Sequence, residues 1–211
     1  MFMRQPATMP APRSRWRRAW VAVALVGWLL VTTALGALLL AKHELAMPVP
    51  APTDPVLRAA VAARASGDAW LAVHVVYPAC PCARRVLAHL QERAHPPGVV
   101  ERVVLVAEHP DAALADRLRL RGYLVEHVTP RELAATWHVE ATPLLVVAAP
   151  GGELRYAGGY GRRKQSPIIE DLAIVAMLQR SSIRDPLPVF GCATSRRLAR
   201  AVDPLGLGRW N

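Results

Sequence analysis

The stretch "WLAVHVVYPACPCARR", residues 70–85, decides how the rest of the chain is read. Its opening run is apolar and β-branched around a lone His74, the composition of a strand buried in a parallel sheet. From Cys82 onward Val86, Leu87 and Leu90 recur at helical spacing, and Pro96-Pro97 stops that helix. Two of the chain's three cysteines, Cys80 and Cys82, therefore stand at a strand-to-helix junction, one residue apart with Pro81 between them. Unpaired backbone N–H groups and the helix macrodipole favour negative charge at such a junction, and with it the thiolate, the reactive form of cysteine. Arg84 and Arg85 follow at once, and helical geometry turns their side chains toward water. A disulfide between residues i and i+2 closes a tight ring in which ordinary disulfide geometry is hard to meet, so such a bond is strained and readily reduced.

On either side of this stretch the pattern continues to alternate. Asp54 and Pro55 read as an N-cap and a first-turn proline, opening a helix to about residue 65. Residues 102–108, "RVVLVAE", read as a second buried strand. Leu114 and Leu118 mark a helix that ends at Gly122, and "YLVEHV", 123–128, is short and extended. Pro130 opens a helix to about residue 137. "PLLVVAAPGGELRYAGG", 143–159, is a strand, a Pro-Gly-Gly turn and a second strand. Pro167 begins a helix carrying Ile168, Ile169, Leu172, Val175 and Leu178. The last segment is extended to Phe190 and helical afterwards, which sets Cys192 at a helix start of its own. The order predicts an α/β domain with a mixed sheet flanked by helices.

A strand ending in a Pro-Cys helix start, an "ATP" before the next buried strand, and a Gly-Gly hairpin together resemble the thioredoxin-fold family over residues 54–180. In that family the proline of the Thr-Pro pair is cis and faces the cysteines. The resemblance assigns this place to Pro143, with Thr142 beside it on a peptide-docking face. It implies dithiol–disulfide exchange with a protein partner and requires no organic cofactor. Cys80 would attack as the thiolate, and Cys82 or Cys192 would resolve the mixed disulfide. The family motif is Cys-x-x-Cys and this chain has Cys-Pro-Cys. Either Cys82 matches the family's second cysteine and Ala79 takes the nucleophile's place, or Cys80 matches the first and the loop is one residue short. The pattern of Tyr-Pro-x-Cys-Pro-Cys, Gly-Gly and Val-Phe-Gly-Cys is also similar to a subgroup of membrane-anchored thioredoxin-like proteins.

The compartment is read from the N-terminus. Residues 19–41 carry no charge and no proline, and 23 residues of helix span roughly 34 Å at 1.5 Å each, enough for the hydrocarbon core. Five arginines precede this run, whereas Lys42 is the only lysine or arginine between it and Arg58. The asymmetry predicts residues 1–18 as a cytoplasmic basic segment and 19–41 as a transmembrane helix. A proline-rich linker over 42–53 would follow, then the thioredoxin-like domain, 54–180, and a C-terminal extension, 181–211, carrying Cys192. The run is longer than the apolar core of a cleaved signal peptide, and no small-x-small cleavage site follows closely. In a bacterium this is a single-pass inner-membrane protein whose domain faces the periplasm, where disulfides persist. The layout is similar to that of bacterial periplasmic thioredoxin-like reductases and cytochrome-maturation proteins.

The net charge of +10 is half contained in the residues before 45, and the remaining basic residues are scattered without aromatic interleaving. Nucleic-acid binding is not expected on that pattern. No phosphate-binding loop or Gly-x-Ser-x-Gly occurs, and the threonine expected before the cysteine of a peroxiredoxin-like peroxidase is missing. Two other readings of the same thiols remain open. Cys80, Cys82 and Cys192, with His138 close before Pro143, offer soft ligands for copper in a metal chaperone of this fold. A non-catalytic subunit of a membrane complex is the other. His74 reads as a core or edge histidine, His89 and His95 as solvated helix residues, and Arg162-Arg163-Lys164 as a solvated loop.

Overall fold

The computed structural model describes residues 13–164, 166–180 and 185–204. The chain divides into two units, residues 1–43 and 44–211. The first holds most of helix α1 (Arg13–Glu44). Its stretch Trp16–Leu39 is long and apolar enough to cross a membrane, and none of it is buried. Thr32 returns its hydroxyl to the carbonyl oxygens of Trp28 and Leu29, at 2.9 and 3.0 Å, so its polar group is satisfied within the helix.

The second unit opens with helix α2 (Pro55–Ala62), capped by the Asp54 carboxylate on the N–H groups of Val56 and Leu57. Strand β1 (Trp70–Val76) leads through Cys80 into α3 (Pro81–Glu92), followed by β2 (Val99–Val106), α4 (Ala112–Leu120) and β3 (Leu124–Val128). Helix α5 (Pro130–Trp137) begins in a capping box: the Thr129 hydroxyl accepts from the Glu132 N–H, and the Glu132 carboxylate accepts from that of Thr129. Strands β4 (Ala141–Thr142), β5 (Leu144–Ala148) and β6 (Leu154–Gly158) come next, with a 3-10 turn at Pro150–Gly152. Helix α6 (Asp171–Gln179), strand β7 (Cys192–Ala193) and α7 (Arg196–Val202) complete the order.

The main sheet runs β3-β2-β1-β5-β6. The β1–β2 and β2–β3 pairs are parallel, and β5 and β6 add antiparallel. β1 is central, so its period-two alternation sends Val73 and Val75 to one core and Ala72 and Val76 to the other. The first core takes Leu57 and Val61 from α2, Leu133 and Trp137 from α5, and Val189 and Leu198 from the C-terminal segment. The second takes Val86, Leu87 and Leu90 from α3, Leu114 and Leu118 from α4, and Ile174 and Leu178 from α6. The sheet is thus covered on both faces, which explains why its central strands are continuous apolar runs.

Three local expectations shift. The helix expected at Pro167 starts at Asp171, because Glu170 donates its N–H to Tyr160 and the residues before it form a loop. The helix expected after Phe190 starts at Arg196, where the Ser195 hydroxyl accepts from the Leu198 N–H. Cys192 therefore lies on a strand, not at a helix start. The C-terminal segment is pinned where Gly159 donates to the Leu187 carbonyl at 2.8 Å. A Cβ on Gly159 would lie 2.0 Å from the Pro188 carbonyl oxygen. Gly159→Ala is expected to cost about 1–3 kcal/mol through forced displacement of backbone, read as a lower urea midpoint with an unchanged m-value.

Candidate functional site

The cysteines meet at the end of β1. Cys80 is the N-cap of α3; its N–H donates to Tyr77 O at 2.9 Å, and its carbonyl accepts from Arg84 N at 3.1 Å. Cys80 is buried, only 1% exposed. Cys80 forms a disulfide with Cys192, 112 residues away, with the two Cα atoms 6.0 Å apart. Cys192 reaches it because β7 pairs antiparallel with β4, placing Cys192 opposite Thr142 and Ala193 opposite Ala141. Cys82 is a free, half-buried thiol. Of the three candidate thiols the structure joins two and leaves the third beside them.

The Thr142-Pro143 peptide bond is cis. Thr142 is fully buried, and its hydroxyl has no hydrogen-bond partner among the described residues. Pro143 lines a cleft with Cys82, Arg85, Tyr160, Ile168, Ile169 and Phe190. Arg85 is exposed, as expected, and its guanidinium also donates to the Ser166 carbonyl at the edge of that cleft. Arg163, expected in a solvated loop, lines the cleft too. A second, larger hollow takes in Cys80, Pro81 and Cys192 with Glu108, Thr129, Arg131, Thr194, Ser195 and Arg196.

A strand that runs from the centre of a mixed sheet into a Pro-Cys helix start, a cis proline beside the cysteines, and a glycine-turned hairpin together decide the architecture. The fold is thioredoxin-like. No protein-family model and no curated protein sequence matches the chain. Solved structures similar to it include an uncharacterized conserved protein from Geobacillus kaustophilus, 16% identical with a TM-score of 0.49 over 72% of this chain and 91% of that one. A thiol-disulfide isomerase from Corynebacterium glutamicum is 17% identical, with a TM-score of 0.39 over 66% of this chain and 93% of that one. The thioredoxin domain of a thiol-disulfide oxidoreductase from Bacteroides vulgatus is 10% identical, with a TM-score of 0.35 over 53% and 79%. At these identities no activity carries over from one chain to another.

His138 is not gathered to the cysteines. It caps α5 in the left-handed conformation, φ 51°, with its Nδ1 3.0 Å from Asp54 Oδ2, and it lines neither hollow. Hydrogen bonds from the Leu57 N–H and from His138 hold the Asp54 carboxyl below its ordinary range. Among the described residues no group of three or more His, Cys, Asp or Glu is placed to hold a metal.

A buried polar cluster lies beneath the first cleft. Tyr160, which lines that cleft, sits 3.0 Å through its hydroxyl from His74 Nδ1, and His74 Nε2 is 3.0 Å from Glu101 Oε1. Arg93 forks onto the Glu101 carboxylate and donates through Nε to Asp171 Oδ2 at 2.8 Å. His89 and His95, expected to be solvated, bind Asp171 and Glu101 respectively. Burial favours the neutral form of Glu101, but hydrogen bonds from His74 and Arg93 outweigh it and hold the carboxyl down at about 2. Burial pushes the Tyr160 hydroxyl well up. The sequence signal for this cluster was His74 alone, a histidine inside an otherwise apolar strand; Glu101 falls within β2 beside Arg102, one residue before the strand expected at 102–108. Their partners Arg93, Asp171 and Tyr160 lie on three other segments and had no signal of their own.

Proposed function

We propose that the chain is a membrane-anchored thiol–disulfide oxidoreductase acting on protein thiols outside the cytoplasm. The observation that carries this reading is the Cys80–Cys192 disulfide, set at a helix N-terminus in a thioredoxin-like fold. In the reducing direction the Cys80 thiolate, favoured by the open end of α3, attacks a client disulfide. One client sulfur leaves as a thiolate and the other becomes bonded to Cys80. The Cys192 thiolate then attacks the Cys80 sulfur, expels the client's second thiolate, and leaves the intramolecular disulfide. Two electrons pass to the client, and a dithiol donor restores the pair. The oxidising direction is the same sequence reversed.

Cys192 is the resolving thiol in this reading and Cys82 is not, since Cys82 is free while the other two are joined. Cys82 instead lines the client cleft with Pro143. The apolar run 19–41 within α1, with five arginines before it and Lys42 the only lysine or arginine between it and Arg58, supports an anchor with its N-terminus in the cytoplasm. On this reading residues 1–18, 19–41 and 42–53 are a cytoplasmic segment, the span and a linker, and the domain works from the membrane surface.

The test is differential alkylation of the full chain in detergent, poised across a dithiol redox gradient and mapped by mass spectrometry. Cys80 and Cys192 are expected to become protected together in a single two-electron step, with Cys82 labelled throughout. Three thiols that never pair, or that are protected only when Cu(I) is added, would overturn the reading and favour metal handling.

A further inference from the structure

Residues 190–195 lie across the face that a client would need. We infer that this segment is the chain's own occupant of a peptide seat built on Ala141, Thr142 and Pro143, and that clients take the seat as extended segments in which glycine immediately precedes the cysteine. The inference rests on the exchange activity proposed above.

The seat recognises main chain. β7 pairs with β4 in antiparallel register, Cys192 opposite Thr142, and the Thr194 N–H extends the ladder to Glu140 O at 2.7 Å. Pairing of this kind binds an extended peptide through its backbone and leaves specificity to the side-chain positions. A cysteine entering in this register is delivered to Cys80, as Cys192 is.

Specificity comes from the preceding position. A Cβ on Gly191 would lie 1.8 Å from the Thr142 carbonyl oxygen, 2.6 Å from its carbon and 2.7 Å from Pro143 Cδ. The first two are backbone atoms and the third belongs to a ring, so none can swing aside as a flexible side chain would. Any residue larger than glycine must lift the strand off the seat. One position upstream, Phe190 lines the cleft that holds Cys82 and Pro143. Downstream, Thr194 and Ser195 line the second hollow with Arg131 and Arg196. The segment therefore crosses from one hollow to the other over Cys80. Once its disulfide is reduced, residues 190–194 are held there by the two-residue ladder and the Thr194 bond, a short stretch of the kind that opens locally.

The experiment uses the full chain with Cys82→Ser and Cys192→Ser, so that Cys80 is its only thiol. Two peptides are compared, LPVFGCATS and the same peptide with alanine in place of the glycine. Each carries its cysteine as a mixed disulfide with 5-thio-2-nitrobenzoate. The Cys80 thiolate attacks the peptide sulfur, the Cys80–peptide disulfide forms, and thionitrobenzoate leaves with the electron pair and is counted by its colour. Rates are normalised to each peptide's reaction with free dithiothreitol, and the symmetric nitrobenzoate disulfide reports Cys80 reactivity without docking. The glycine peptide is expected to react at least ten times faster than the alanine peptide. Equal normalised rates with a reactive Cys80 would overturn the seat and leave the exchange reading intact. A Cys80 inert even to the symmetric reagent would overturn both.

Discussion

Serine at position 192 is expected to turn a transient intermediate into a lasting adduct. In the native chain the Cys80–client disulfide is attacked by Cys192, a thiol of the same chain on the segment that returns to pair with β4. A tethered thiol acts at an effective concentration of about 1 mM or more, against which micromolar external thiol competes poorly. Its loss should lengthen the lifetime of the mixed disulfide by at least about a thousandfold, with turnover falling in proportion. Cys192→Ser run on a non-reducing gel should therefore show the chain joined to its clients through Cys80, identified by mass spectrometry. Cys80→Ser should abolish both turnover and adduct. Cys82→Ser should leave turnover within a few-fold of the native chain, because Cys82 is outside the bond that forms. A trap produced by Cys82→Ser and not by Cys192→Ser would make Cys82 the resolving thiol and remove Cys192 from that role. The disulfide closes a long loop, so Cys192→Ser also costs about 2–4 kcal/mol of stability; the assay belongs at low temperature, with folding followed by circular dichroism.

The fold was legible because its signals are local. An apolar β-branched run, a proline-bearing helix start and a Pro-Gly-Gly turn each state their own conformation, and β1, α3 and the β5–β6 hairpin lie where these patterns put them. The placement of Cys80 at the start of α3 was legible for the same reason, whereas the cis Thr142-Pro143 bond was expected from the family resemblance. The exceptions are informative. Cys192 follows a glycine and precedes a basic run, a pattern that reads as a helix start. Its strand exists because β4 offers a partner about 50 residues earlier in the chain, which no local window contains. Both arginines after Cys82 read as solvated, and Arg85 found an acceptor only because the loop before α6 folds back over α3. His74 read as a core or edge residue and lies in the core, but the company it keeps depends on tertiary contacts with segments up to 86 residues away. Choice between Cys82 and Cys192 as partner of Cys80 was likewise undecidable from spacing and followed from the antiparallel register of two short strands.

The buried cluster makes the second large prediction. Glu101 is 4% exposed and receives the Arg93 fork, His74 and His95, while Arg93 also holds Asp171. Such a cluster is a weak source of net stability but a costly one to break, because each remaining charge is left desolvated and unpaired. Glu101→Gln is therefore expected to destabilise the domain by about 3–5 kcal/mol, measured by urea denaturation near neutral pH. Arg93→Met in the same background should add less than it does alone, since the two residues share one network. The pH dependence has a definite sign. The Glu101 carboxyl titrates at about 2 in the folded chain against an ordinary value of 4.5, so its contribution is fully present above about pH 4.5 and is lost as pH falls toward 2. Linkage sets that contribution at about 3 kcal/mol. The native chain should lose stability steeply across that window, and Glu101→Gln should lose correspondingly less. Parallel acid profiles for the two proteins would mean that the Glu101 carboxyl titrates alike in the folded and unfolded chain, and the ion-paired reading of the cluster would fall.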